Sequence, residues 1–263
     1  MTRAGRAGAP PPTNGRARAY FLDVDGTLVD FAADPARIRV RPGVRRLIGR
    51  LSAAAGGALA LVTGRPIADV DRLFPGTRLP IAGQHGTERR DALGRIRRHL
   101  PPVTGLDRAR ARLAEAAARH PGLLLEDKGI SLALHYRRAP RLAGYAHRLM
   151  RTLQPLAGAQ YCVQAGKRVV ELRPGGRHKG MAIREFMHEA PFRGREPVFI
   201  GDDATDEHGF AVANRLGGLS VKVGPGATSA RCRLADVRAV EAWLSADVSA
   251  QARLSHILRR RDP

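Results

Sequence analysis

Residues 20–30, Tyr-Phe-Leu-Asp-Val-Asp-Gly-Thr-Leu-Val-Asp, constrain this chain more than any other stretch: a buried-type apolar strand runs into two carboxylates at i and i+2, followed by Gly-Thr. Strand side chains alternate faces, so Asp23 and Asp25 are expected to project together. They fall at the strand's carboxyl end, where open α/β sheets place their ligands. Two ionised carboxylates side by side require a shared proton or a cation between them, and hard oxygen donors, few in number, suit Mg²⁺. The pair can also divide chemical labour, Asp23 attacking as a nucleophile and Asp25 handling protons. The competing reading is a strand that stops at an ordinary Asp-Gly turn. The motif alone leaves both open.

Three further stretches supply context. Residues 58–62 form an apolar run that stops at Thr63-Gly64-Arg65-Pro66, and residues 198–200 form another that stops at Gly201-Asp202-Asp203-Ala204-Thr205-Asp206-Glu207. Between them Lys179, in Arg-His-Lys-Gly, opens a helix-like segment over 181–188. This ordered set resembles the haloacid dehalogenase-like (HAD-like) phosphatases. Residues 125–137 (Leu-Glu-Asp-Lys-Gly-Ile-Ser-Leu-Ala-Leu-His-Tyr-Arg), 170–174 (Val-Glu-Leu-Arg-Pro) and 83–86 (Gly-Gln-His-Gly) narrow the match: they are similar to the trehalose-6-phosphate phosphatases within that superfamily. The resemblance runs from about residue 19 to 244.

The resemblance implies a Mg²⁺-dependent hydrolysis of trehalose 6-phosphate through an aspartyl-phosphate. Asp23 is the expected nucleophile, and Asp25 the acid and then base. The metal is expected at Asp23, the backbone carbonyl of Asp25, and Asp202, with Asp203 reaching it through water or a hydrogen bond and Asp206 orienting Lys179 or Asp203. Thr63 and Gly64 are expected to donate to phosphoryl oxygens, as oxyanion donors do, with Arg65 beside them and Lys179 acting as a point charge. Each has a bland counterpart: a structural threonine at a strand end, a solvated lysine, an acidic helix cap. For the sugar the resemblance implicates Glu126, Lys128 and Glu171, with Arg137, His85 and Arg173 as further candidates. Glu126 and Lys128 share a strand face; the alternative for them is a surface ion pair worth ~0–1 kcal/mol.

Strand signals at 19–24, 58–62, 79–82, 198–200 and 220–223 alternate with helical stretches at 45–54, 67–73 and 237–244, which predicts a doubly wound, mostly parallel α/β sheet; the resemblance implies that it is of the Rossmann-like, HAD-like type. Between 104 and 173 the rhythm changes to helix (106–119), two strands (123–126, 131–136), helix (141–153) and two strands (160–163, 168–172). Glycines at the strand junctions favour antiparallel hairpins, so this αββαββ module is expected to be an inserted cap domain. The expected divisions are a disordered basic tail over 1–18, a catalytic core over 19–103 and 174–250, the cap over 104–173, and a basic tail over 251–263. Pro101-Pro102 and Pro174-Gly175-Gly176 are the expected hinges.

A net charge of +21 raises nucleic acid as a partner. The arginines are dispersed, however, and aromatics are few, so the expected partner is a small sugar phosphate, with no specific nucleic acid. Only four of the 45 basic residues are lysines, at 128, 167, 179 and 222, and two of these lie in the motifs above. No apolar run approaches the ~20 residues of a membrane span, and two distant cysteines suggest no disulfide framework. A cytoplasmic monomer or weak dimer is expected. The alternatives are a related phosphatase for sucrose 6-phosphate, mannosyl-phosphoglycerate or a hexose phosphate, a sugar-phosphate sensor, and a nucleic-acid-binding protein.

Overall fold

A computed structural model describes residues 8–12, 16–30, 37–99 and 105–259, with side chains up to residue 250. In chain order the elements are β1 (Arg18–Leu22), α1 (Pro42–Ala54), β2 (Leu59–Val62), α2 (Ile67–Leu73), β3 (Ile81–Gly83), β4 (Glu88–Arg90) and β5 (Ile96–Arg98). Then come α3 (Leu106–Arg119), β6 (Leu124–Asp127), β7 (Leu132–His135), α4 (Ala143–Ala157), β8 (Tyr161–Gly166) and β9 (Val169–Pro174). The chain closes with α5 (Lys179–Met187), β10 (Glu196–Gly201), α6 (Glu207–Arg215), β11 (Leu219–Val223), β12 (Cys232–Leu234) and α7 (Val237–Arg259). It divides into two compact units, the second spanning Arg98–Arg177.

The first unit is the predicted α/β fold. Its sheet runs β12-β11-β10-β1-β2-β3-β4-β5, parallel from β12 to β3. Strands buried on both faces read as continuous apolar runs, and β1, β2 and β10 do so. Tyr20 aligns with Val198 on one side and Leu59 on the other. The strand order reverses at β1, and the loops after β10, β1 and β2 issue side by side at the carboxyl edge. β4, paired antiparallel to β3, together with β5, α6 and β12, was not expected from sequence.

The tails differ from expectation. Residues 8–12 are held in place: the Arg233 amide donates to the Gly8 carbonyl (2.9 Å), Trp243 Nε1 to Pro10 (3.1 Å), and Arg18 Nη2 to Pro12 (3.2 Å). Carbonyls of a proline-rich segment have no helix or ladder to satisfy them, and donors from β1, β12 and α7 do so here. Residues 1–7 and 13–15 lie outside the described residues. At the other end, residues 251–259 continue α7 instead of forming a separate tail.

In the second unit the order is helix, two strands, helix, two strands, and the sheet runs β6-β7-β9-β8, antiparallel throughout. Leu106, Leu113, Leu134, Met150, Leu153 and Val170 share its core. Leu134 and Val170 lie on the face of the sheet that packs on the helices. The registers leave Glu126, Ser131, Ala133, His135, Gln164, Glu171 and Arg173 on the opposite face. Pro101-Pro102 lies outside the described residues. The expected outgoing hinge is tied down, because the Gly175 amide donates to Gln160 O (2.8 Å) and Arg173 Nη1 to the carbonyls of Pro174 and Arg177 (2.9 Å each).

Candidate active site

β1 ends at Leu22, and the Asp23 amide still bonds to Ile200 O on β10 (3.0 Å). That bond fixes the Asp23 main chain beside the next strand. The chain then reverses: Gly26, at φ 79°, donates to Val29 O, while Leu28 and Val29 donate to Val24 O. A left-handed residue at that turn is natural for glycine.

Lys179 Nζ lies 2.9 Å from Asp23 Oδ1 and 2.7 Å from Asp206 Oδ1, and all three side chains are almost fully buried. Asp206 has no exposed surface and also accepts from the amides of Asp202 and Asp203, both at 2.9 Å. The glycine opening this motif is explained by contact, since a Cβ on Gly201 would stand 2.4 Å from Cγ of Asp206. Asp206 thus orients both Lys179 and the backbone that carries Asp202 and Asp203. Asp203 itself caps the following turn through the Ala204 amide (2.7 Å).

Burial drives the Asp23 carboxyl well above its ordinary range; Lys179 opposes this, while Asp206 and Asp202 add to it. Burial works against the Lys179 ammonium, but Asp206 and Asp23 outweigh it and raise its pKa.

Asp25 does not join this group. Its carboxylate is gripped by Arg65, Nε to Oδ2 at 2.7 Å and Nη2 to Oδ1 at 2.8 Å. The expectation that both carboxylates meet is therefore corrected: past the end of β1 the strand alternation no longer applies, and the two acids turn to different cations. One oxygen each from Asp23, Asp202 and Asp206 lies within 4.8 Å of the others. Asp206 is already engaged by three donors. An all-carboxylate oxygen set of this kind fits a hard divalent cation such as Mg²⁺.

Thr63 is buried after β2, and its Oγ1 accepts from the Arg65 amide at 3.2 Å. The loop at 84–86 is sewn to it: the amides of His85 and Gln84 donate to the carbonyls of Thr63 and Arg65, both at 2.9 Å. Gln84 and His85 take positive φ, 45° and 57°, a conformation that non-glycine side chains adopt only when surroundings enforce it. The His85 ring lies against Gly64, 2.8 Å from where a Cβ would stand. His85 therefore belongs with Thr63 and Gly64.

A model of the family described as trehalose-phosphatase matches residues 21–238. The chain belongs to that family. It is 47% identical over 229 residues to the Escherichia coli (strain K12) trehalose-6-phosphate phosphatase, covering 86% of this chain and 85% of that one. It is 45% identical over 207 residues to a probable trehalose-phosphate phosphatase of Sinorhizobium fredii (strain NBRC 101917 / NGR234), covering 79% and 78%. Its fold matches the C-terminal domain of the Candida albicans trehalose-6-phosphate phosphatase with a TM-score of 0.81 at 21% identity, over 93% of this chain and 99% of that one. As a member of the trehalose-phosphatase family the chain is a phosphatase, a hydrolase of phosphoric monoesters.

Of the expected sugar residues, His85 lies in the first unit and the other five in the second, where Glu126, Glu171 and Arg173 share the polar face of the sheet. Glu171 accepts from Ser131 Oγ (2.7 Å) and Lys128 Nζ (3.3 Å). Glu126 Oε2 lies 2.7 Å from His135 Nε2. Arg137 instead reaches the carbonyl of Lys167 (3.2 Å), and Arg173 binds Gln164 Oε1 (2.6 Å) along with the carbonyls of Pro174 and Arg177. Both arginines therefore have main-chain partners within this unit. Sequence reasoning missed three contributors: Ser131, His135 and Lys222, whose buried ammonium donates to the carbonyls of Asp202 and Val223. The scarcity of lysine pointed to Lys222; Ser131 and His135 lay unremarked inside a quoted motif.

Both cysteines are free thiols. Among the described residues no helix is long and apolar enough to cross a membrane.

Proposed function

We propose that the chain hydrolyses trehalose 6-phosphate to trehalose and phosphate, with Asp23 as nucleophile. The buried Asp23–Lys179–Asp206 cluster, with Asp202 alongside, carries this reading. Asp23 Oδ attacks phosphorus as the bond to the sugar O6 breaks, giving an aspartyl-phosphate and an alkoxide that takes a proton from Asp25. Asp25 then removes a proton from water, whose oxygen attacks phosphorus and frees Asp23. Splitting one hydrolysis into two displacements lowers each barrier. Both Asp25 oxygens rest on Arg65, so this carboxyl must exchange Arg65 for the substrate before it donates. Thr63 and Gly64 would meet the phosphoryl oxygens, and Lys179 would balance the charge between them and Asp23.

Asp23 and Asp202, with the Asp25 backbone carbonyl, would hold Mg²⁺. When bound, the ion neutralises charge on the phosphoryl oxygens and offsets the burial that disfavours ionised Asp23. The second unit would bind the sugar, its Glu126, Lys128 and Glu171 offering acceptors and donors to sugar hydroxyls. A site built to bond several hydroxyls rejects analogues that lack them. We place the reaction in a reducing cytoplasm, in keeping with the two free thiols.

Phosphate release from trehalose 6-phosphate tests the reading. It should stop in EDTA and in Asp23→Asn, and it should exceed release from glucose 6-phosphate or sucrose 6-phosphate by at least about 10²-fold. Full activity in Asp23→Asn, or comparable rates on the three esters, would refute it.

A further inference from the structure

Four cross-strand partners make one row on the polar face of the second unit: Glu126 on β6, Ala133 on β7, Glu171 on β9 and Gln164 on β8. Ala133 is the smallest member and stands between the two carboxylates, itself almost fully buried. Each carboxylate is steadied from the side. Ser131 and Lys128 hold Glu171, and His135, diagonal to Glu126 across the β6–β7 pair, holds Glu126 at 2.7 Å. The His135 and Glu126 side chains keep 15% and 21% of their surface exposed, so solutes can reach them. An ionised carboxylate has about four acceptor sites, and the bond from His135 takes one.

Burial alone would push the Glu126 carboxyl up. The His135 bond and the charge of Lys128 outweigh it, holding Glu126 below its ordinary value. A carboxylate in that state can only accept, so the bonded His135 Nε2 carries the hydrogen.

We propose that His135 is a positioning residue, fixing the Glu126 carboxylate as an acceptor for a hydroxyl of the substrate's sugar portion. This rests on the reading above, that the enzyme takes a sugar phosphate and binds its hydroxyls on this sheet face. Without His135 the Glu126 side chain regains rotamer freedom, which must be lost again when the sugar binds. The loss falls on sugar affinity and spares a phosphate ester that has no hydroxyls.

The test compares kcat and KM for trehalose 6-phosphate and for 4-nitrophenyl phosphate in the wild type, His135→Ala, His135→Gln, Glu126→Gln and the double variant His135→Ala/Glu126→Gln. His135→Ala should raise KM for the sugar ester about tenfold with kcat changed less than about threefold, and should lower the ratio of the two kcat/KM values about tenfold. A glutamine side-chain amide can donate as His135 Nε2 does, so His135→Gln should recover most of the loss. In the Glu126→Gln background, His135→Ala should add less than about twofold. An unchanged ratio, an equal loss on both esters, additive losses in the double variant, or no recovery in His135→Gln would each overturn the assignment. Should His135→Ala fail to fold, His135→Gln against His135→Leu makes the same comparison. A wild type with no preference for the sugar ester would bring down the substrate reading and this assignment together; a preference that survives in His135→Ala would bring down the assignment alone.

Discussion

Asp206→Asn is the sharpest structural test of the site. The native carboxylate accepts from Lys179 Nζ through Oδ1 and from the amides of Asp202 and Asp203 through Oδ2. Asparagine is isosteric but keeps one acceptor. If its oxygen faces the two amides, its NH₂ points at the Lys179 ammonium; if it faces Lys179, two buried amides are orphaned. Breaking a buried ion pair costs about 3–5 kcal/mol. Lys179 retains Asp23, which argues for the lower end, about 3 kcal/mol. For a chain of this size each kcal/mol moves Tm by about 2–4 °C, so a fall of about 6–12 °C is expected by circular dichroism. Phosphate release should drop about 10²-fold, because Lys179 loses one of the two anchors that aim it. Asp203→Asn is the control: it removes a neighbouring negative charge but keeps the cap, since Asn caps as well as Asp, and its Tm should stay within about 2 °C of the wild type. Equal Tm values for Asp206→Asn and the wild type would refute the three-donor account of Asp206.

Two further outcomes follow from the carboxyl shifts. Metal-free Asp23→Asn should lose less stability than Asp206→Asn, because burial already disfavours the ionised acid at 23 and offsets part of the lost pairing with Lys179; Mg²⁺ should raise Tm of the wild type and leave Asp23→Asn nearly unmoved. A metal-free Asp23→Asn that melts below Asp206→Asn would contradict this. Glu126 has the opposite sign: its folded pKa lies below the ordinary 4.5, so its contribution is complete above that pH and disappears as acid passes the lowered folded value. The urea midpoints of the wild type and Glu126→Gln should therefore converge on acidification below pH 4.5, and a gap that widens would count against the His135 and Lys128 pairing.

What was legible in the sequence had a local cause. β1, β2 and β10 are buried on both faces and announce themselves as apolar runs. Gly201 and Asp206 stand close enough in sequence for one loop to bring them together. β4 was hidden because Glu88-Arg89-Arg90 reads as a charged loop, yet all three residues are buried. Charged residues go inside when paired, and their partners are remote: Arg90 bonds Asp71 and Leu79 O, while Arg89 stacks over Phe186 at 4.0 Å and pairs with Glu189. The proline-rich stretch at 8–12 misled for the same reason, since Trp243 and Arg233 that hold it lie more than 200 residues away. Lysine usage was the better guide: three of the four lysines, at 128, 179 and 222, have nearly buried ammonium-bearing side chains that bind carboxylates or carbonyls.

The two acids of the opening motif show where a periodicity argument stops. Spacing of i and i+2 places side chains on one face only while the backbone stays extended, and β1 ends one residue before Asp23. Beyond that point the turn at Gly26 governs direction. Asp23 goes inward to Lys179, whereas Asp25 keeps a quarter of its side-chain surface and goes to Arg65, 40 residues along. This divergence is what a covalent mechanism needs from two identical side chains. A nucleophile gains from being fixed, buried and faced by one cation, because attack on phosphorus tolerates little misalignment. An acid and base must instead reach a leaving oxygen and then a water, so it gains from solvent access and a partner it can exchange. In the mechanism proposed above the same residue type would serve two roles through unlike surroundings, and those surroundings come from Lys179 and Arg65, neither of which the motif contains.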